Sequence, residues 1–187
     1  MSTHIDTWRE DHVHFSRLLN LLEAQIGFFH EDLTPNYELM LDITYYMTHY
    51  PDLFHHPKED IVFEQVKKLD PAASTVVDEL MRQHVVLRES GAKLVESLEG
   101  VIAGTMLARA SVEAPGQTYI AYFRSHMLKE EAKIFPLALQ LLSDQDLSAD
   151  DAAEPSPADP LFGESVQQRY RSLHQHIARE VGCSCTT

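Results

Sequence analysis

The chain has 187 residues, 44% of them hydrophobic and 24% charged, which suits one packed domain and is too short for two ordinary ones. Lys plus Arg number 15 against 29 for Asp plus Glu, a formal charge of −14 that disfavours nucleic acid and anionic membrane as partners, since both want basic patches. The other excess is histidine, at 11 residues.

Apolar residues recur mostly at helical spacing, and only seven glycines interrupt them. Phe15, Leu18, Leu19, Leu22 and Ile26 form the apolar stripe of a first helix over roughly 7–30. A short HEDLTP link leads to Thr34 or Asn36, where a second helix starts and runs to about 69. Asp70-Pro71 is a stop followed by a start, because Asp suits an N-cap and Pro the first turn. The third helix runs from about 71 to about 99 and ends at Gly100. Residues 101–114 are ambiguous, and Pro115 opens a fourth helix that reaches about 142. These helices, joined mostly by short links, predict an all-α, up-down-up-down four-helix bundle over 1–145. Residues 146–187 then read as an acidic, Pro-rich linker, a short extra helix within 161–180 and a disordered tail.

The chain has only two cysteines, Cys183 and Cys185, too few for a disulfide framework, and the first residues lack the layout of a signal peptide. No apolar run approaches the ~18 residues of a membrane helix. A soluble cytoplasmic protein is expected. Cys183-x-Cys185 has no third ligand nearby in sequence, so tail is favoured over metal site.

His55 with Glu59 and His126 with Glu130 each place an imidazole and a carboxylate one helical turn apart. HHPKEDIVF and HMLKEEAKI share this His-x-x-x-Glu-acid pattern. One such pair alone is commonly a surface pair. His12 and His84 change that weighting, since each predicted helix then carries one candidate. From His12 to the end of its helix is about 18 residues, and from the start of the next to His55 about 19; the following pair of lengths is about 14 and 13. At ~1.5 Å per residue, these histidines fall at one level of an antiparallel bundle. His126 closes the layer more loosely. His12 lies on the stripe of Phe15 and Leu19, His84 on that of Leu80 and Leu87, and His126 follows Tyr119 and Tyr122. Inward histidines and carboxylates are costly without a partner, and a metal supplies one. Imidazole with carboxylate suits iron, and manganese and zinc accept the same donors. The alternative is histidine as core filler in a helical interaction module.

The segments EDHVHFSRLLNLLE, FHHPKEDIVF, RQH and YFRSHMLKEEAKIFP resemble the hemerythrin-like, HHE cation-binding family over about residues 8–142. The resemblance implies a four-helix bundle with two non-haem iron ions that binds or senses oxygen or a related small molecule, such as nitric oxide or peroxide. It matches His12, His55, Glu59, His84, His126 and Glu130 to metal ligands, and makes Glu59 and Glu130 bridges between the metals. One departure matters. Oxygen-carrying hemerythrins have a second histidine a turn from the third-helix ligand, whereas the positions four before and after His84 are Leu80 and Arg88. Tyr122, one turn before His126, fills the gap or is a core tyrosine; His14, His56 and Glu89 are weaker substitutes that read as surface residues by phase. An incomplete ligand set points away from simple oxygen carriage, toward sensing, iron handling or a di-iron peroxidase or oxidase. Pro51 and Pro57 either kink the second helix and aim His55 inward, or split it near residue 50. His4, His30, His49, His174 and His176 read as surface. Among the acids only Glu59 and Glu130 are assigned to metal, so the net charge is read as solubility and linker.

Overall fold

The computed structural model describes residues 4–31, 33–143, 146 and 158–183. Among them all regular secondary structure is helical, with no strand. Helix α1 spans His4–Gly27, α2 Tyr37–Tyr50, α3 His56–Leu69, α4 Ser74–Ile102, α5 Ala110–Lys129 and α6 Phe135–Leu141. A π turn, Pro51–His55, joins α2 to α3, and a second, Glu130–Ile134, joins α5 to α6. Asn36 caps α2 by accepting the Leu39 N–H, and the Asp70 carboxylate accepts the Ala72 N–H, as both residue types suit. The bundle forms by α2 packing on α4, α4 on α5, and α1 on α5 and α2, while α3 faces α4 and α6.

The ends of α4 and α5 differ from expectation. Helix α4 passes through Gly100 and stops at Ile102, because Gly104 takes φ +85° and turns the chain. Helix α5 begins at Ala110, ahead of Pro115. Its first turns are held from outside: the Arg109 guanidinium donates to the Phe29 carbonyl at 2.7 Å and lies over the Phe29 ring, and Glu113 pairs with His30.

The Pro51–Pro57 stretch neither breaks the rod nor simply kinks it. The His56 N–H reaches back five residues to the Pro51 carbonyl, and Pro57, the next residue, has no N–H to offer. The second π turn repeats the device: the Phe135 N–H bonds the Glu130 carbonyl and Pro136 follows. A proline after a turn removes one helical donor and crowds the carbonyl four residues back, which favours an opened turn.

Two apolar clusters fill the bundle. The larger holds Phe15, Leu19, Tyr46, Leu87, Leu94 and Phe123. The smaller holds Trp8, Phe63, Leu80, Ile134 and Phe135. Beyond Ala158 a last helix, α7, spans Arg171–Cys183 and packs on α2. Leu161, Tyr170, Leu173 and Ile177 are buried in the larger cluster, so the C-terminal segment shares the bundle's core. Most of the acidic linker expected after residue 146 lies outside the described residues, as does Cys185; Cys183 ends α7 instead of starting a tail. Of the histidines read as surface, His30 and His174 are exposed and His4, His49 and His176 half-buried. No described helix is long and apolar enough to cross a membrane.

Candidate metal centre

The polar layer lies between the two apolar clusters. On α1, His12 sits one turn from Trp8 in one cluster and three residues from Phe15 in the other. His12, His55, His84, His126, Glu59 and Glu130 are all buried, each at 5% exposure or less. The structure thus brings together the six residues singled out from sequence.

It adds a seventh. His56 is buried too, stacked on His84 at 4.2 Å between ring centroids and edge-on to His126 at 5.7 Å. It corrects the surface reading of that residue. His56 lies three residues before Glu59 and seven before the buried Phe63, so its phase signalled an inward side chain once Glu59 was taken as inward. Tyr122, by contrast, is half-buried against the larger cluster and makes no hydrogen bond or ring contact with the histidines among the described residues. The place beside His84 is taken by His56, from the neighbouring α3. His14 is half-buried and Glu89 exposed.

The donors form two groups that share Glu59: His12, His55 and Glu59, and His56, Glu59, His84 and His126, with ligand atoms within 4.8 Å of one another in each. The carboxylates stand between the groups. Glu59 Oε1 faces His55 Nε2 at 3.2 Å and His12 Nε2 at 3.9 Å, while its Oε2 faces His84 Nε2 at 3.6 Å. Glu130 Oε2 faces His12 Nε2 at 3.5 Å, and its Oε1 faces His84 and His126 Nε2 at 3.3 and 3.0 Å.

Each imidazole is held from behind. Nδ1 donates to Glu131 from His12 at 2.9 Å, to Asp11 from His55 at 2.9 Å, to Asp52 from His56 at 3.1 Å, to Asp60 from His84 at 2.8 Å and to Gln83 from His126 at 3.1 Å. These acceptors fix the tautomer and leave Nε2 for the centre. They went unassigned in the sequence, although the signal was present: Asp60 and Glu131 are the acids that follow Glu59 and Glu130 in the repeated pattern. The acidic composition therefore does contribute to the site.

The chemistry of the layer calls for a cation. His12 Nε2, both Glu59 oxygens, His126 Nε2 and Glu130 Oε2 are buried with no hydrogen-bond partner. Orphaned buried polar atoms are expensive, on the order of 1–3 kcal/mol each. Protons substitute in part. Burial opposes charge on His55, yet Glu59 and Asp11 push it up to about 10. Burial likewise opposes charge on His84, and hydrogen bonds to Asp60 and Glu130 raise it to about 9. Burial also acts against the Glu130 carboxylate, but His126 and the other imidazoles hold it well below the usual range. Burial and the neighbouring imidazoles hold His56 well below its ordinary value, so it stays neutral. The protons on His55 and His84 set positive charge against the carboxylates of the layer, a role that a cation would take over.

A helical bundle with a buried layer of imidazoles between carboxylates defines a class of cation-binding protein. The hemerythrin HHE cation binding domain model matches residues 3–138, so the chain belongs to that family. Neither a curated protein nor a solved structure matches it.

Proposed function

We propose that this protein holds two non-haem iron ions in the buried layer of an up-down-up-down four-helix bundle, and uses them to bind or sense oxygen, nitric oxide or peroxide. The order of helix neighbours supports the bundle topology. The ligands are His12 and His55 at one position, His56, His84 and His126 at the other, and Glu59 and Glu130 between them. The observation that carries this reading is that both carboxylates direct one oxygen toward each group of nitrogens. Iron in such a set supplies an open coordination position and one-electron redox chemistry.

The protein's own residues decide what reaches that position. The pair His12 and His55 offers one imidazole fewer than the other group, so it is the side that retains room for a small ligand. Its surroundings are apolar: Phe135 stacks on His12 at 5.4 Å, Phe15 meets His55 edge-on at 5.1 Å and Trp8 at 6.3 Å. These rings exclude water and favour small, weakly polar molecules over ionic ones. Having only two cysteines fits a cytoplasmic setting, where disulfides are rare.

The test is the absorption spectrum of the iron-loaded chain above 300 nm, recorded before and after addition of oxygen, nitric oxide or peroxide. New bands that respond to one of these, and vanish in His55→Ala, are expected. A loaded protein whose spectrum is indifferent to all three contradicts the reading.

A further inference from the structure

A third group of donors lies outside this layer, where the C-terminal segment meets α1. Asp11, His14 and Asp159 offer ligand atoms all within 4.8 Å of one another, and all three are half-buried. Asp11 and His14 lie three apart on one face of α1. Asp159 is fixed in place: the Tyr46 hydroxyl donates to its Oδ2 at 2.7 Å, and the Leu161 and Phe162 N–H groups donate to its Oδ1 at 2.7 and 2.8 Å. His14 is fixed by the Phe162 ring, stacked at 4.0 Å and 10°.

The three side chains converge without bonding to each other. Among the described residues no hydrogen bond or ion pair links His14 to either aspartate, and neither carboxylate is paired with a lysine or arginine. His14 Nδ1 is buried with no hydrogen-bond partner. Donors about 2.1 Å from one tetrahedral ion stand about 3.4 Å apart, a spacing that fits inside the 4.8 Å within which these three ligand atoms lie.

We propose that Asp11, His14 and Asp159 form a separate site for one divalent cation, of which zinc fits the donors best. One imidazole and two carboxylates match its N/O preference, their −2 charge balances the ion, and water fills the remaining position. The ion ties the segment around residue 159 to α1. It also steadies Asp11, whose Oδ2 accepts the His55 Nδ1–H. The site is therefore a latch between the C-terminal segment and the support of one ligand of the central layer.

The probe is Zn(II) alone, added to saturation to the full chain and counted by native mass spectrometry. Three ions per chain are expected for the unaltered protein and two for His14→Phe, which keeps the ring stacked on Phe162 and removes the nitrogens. Asp159→Asn gives two as well. Zinc slows amide exchange at Leu161 and Phe162 at least tenfold in the unaltered protein and leaves it unchanged in His14→Phe. The same count in His14→Phe as in the unaltered protein overturns the proposal. The central reading fails by a different result, an unchanged count in His126→Ala, and a drop of one ion in His14→Phe would stand even then.

Discussion

The two halves of the central layer are built on one plan. In one half, Asp11-His12 on α1 faces His55, Glu59 and Asp60 at the first π turn and on α3; in the other, Gln83-His84 on α4 faces His126, Glu130 and Glu131 on α5 and the second π turn. In each, the residue before the single histidine holds the Nδ1 of the paired histidine. The acid after each layer glutamate reaches across to the single histidine of the opposite half: Asp60 to His84, and Glu131 to His12. The halves therefore lock one another. Beyond the exchange of Asp60 for Glu131, they differ at two places. His56 with its support Asp52 corresponds to Met127 and Phe123, and Asp11 corresponds to the neutral Gln83. The first difference makes three nitrogens on one side and two on the other. The second puts a carboxylate behind His55 where His126 has a neutral amide.

Removing what the halves share has the largest effect. Glu59→Ala or Glu130→Ala takes away an oxygen from both positions at once, so metal content should fall from about two ions per chain to below one, measured by atomic emission. A variant that retained both ions would show that the carboxylates do not join the halves. Next comes the asymmetry. His56→Met copies Met127 and should weaken the three-nitrogen position about 100-fold or more while sparing the other, which a two-step chelator competition resolves. Smaller again are the supports. Asp11→Asn makes the partner of His55 neutral, like that of His126, and should cost roughly 10–100-fold in affinity at one position. Equal losses at both positions would mean the halves are not separable.

The mildest test is pH. His55 and His84 are raised above the ordinary histidine value in the metal-free protein, to about 10 and about 9. A raised group stabilises the folded state fully below the unfolded value near 6.5, and that contribution is lost as pH rises through 9 to 10. The Tm of the metal-free protein should fall over that interval, and metal uptake at pH 8 should release about two protons. A flat Tm, or uptake without proton release, would show that these histidines are neutral before metal arrives.

Much of the site could be read from the sequence, because a helix fixes both depth and face. One histidine per rod at one level, with two His-x-x-x-Glu pairs, needs only the 1.5 Å rise and the i, i+4 relation. His56 was missed because adjacent residues on a helix normally diverge by 100°, and only one of His55 and His56 was assigned inward. Both lie within a turn of Glu59, and the π turn that ends at His55 admits the pair. The outer partners were missed for a different reason. Asp11, Asp52, Asp60 and Glu131 look like solvated acids until a neighbouring rod is placed against them. The start of α5 and the burial of Leu161 and Leu173 likewise depend on contacts far apart in sequence.

The central claim is that five imidazoles and two carboxylates in one buried layer hold a pair of cations. Native mass spectrometry of the chain loaded anaerobically with Fe(II) tests it most directly. Two iron ions per chain are predicted, falling below one on average in Glu130→Ala while the circular dichroism of the helices is kept. A chain that retains its full helical signal yet shows only the mass of the bare polypeptide would contradict it.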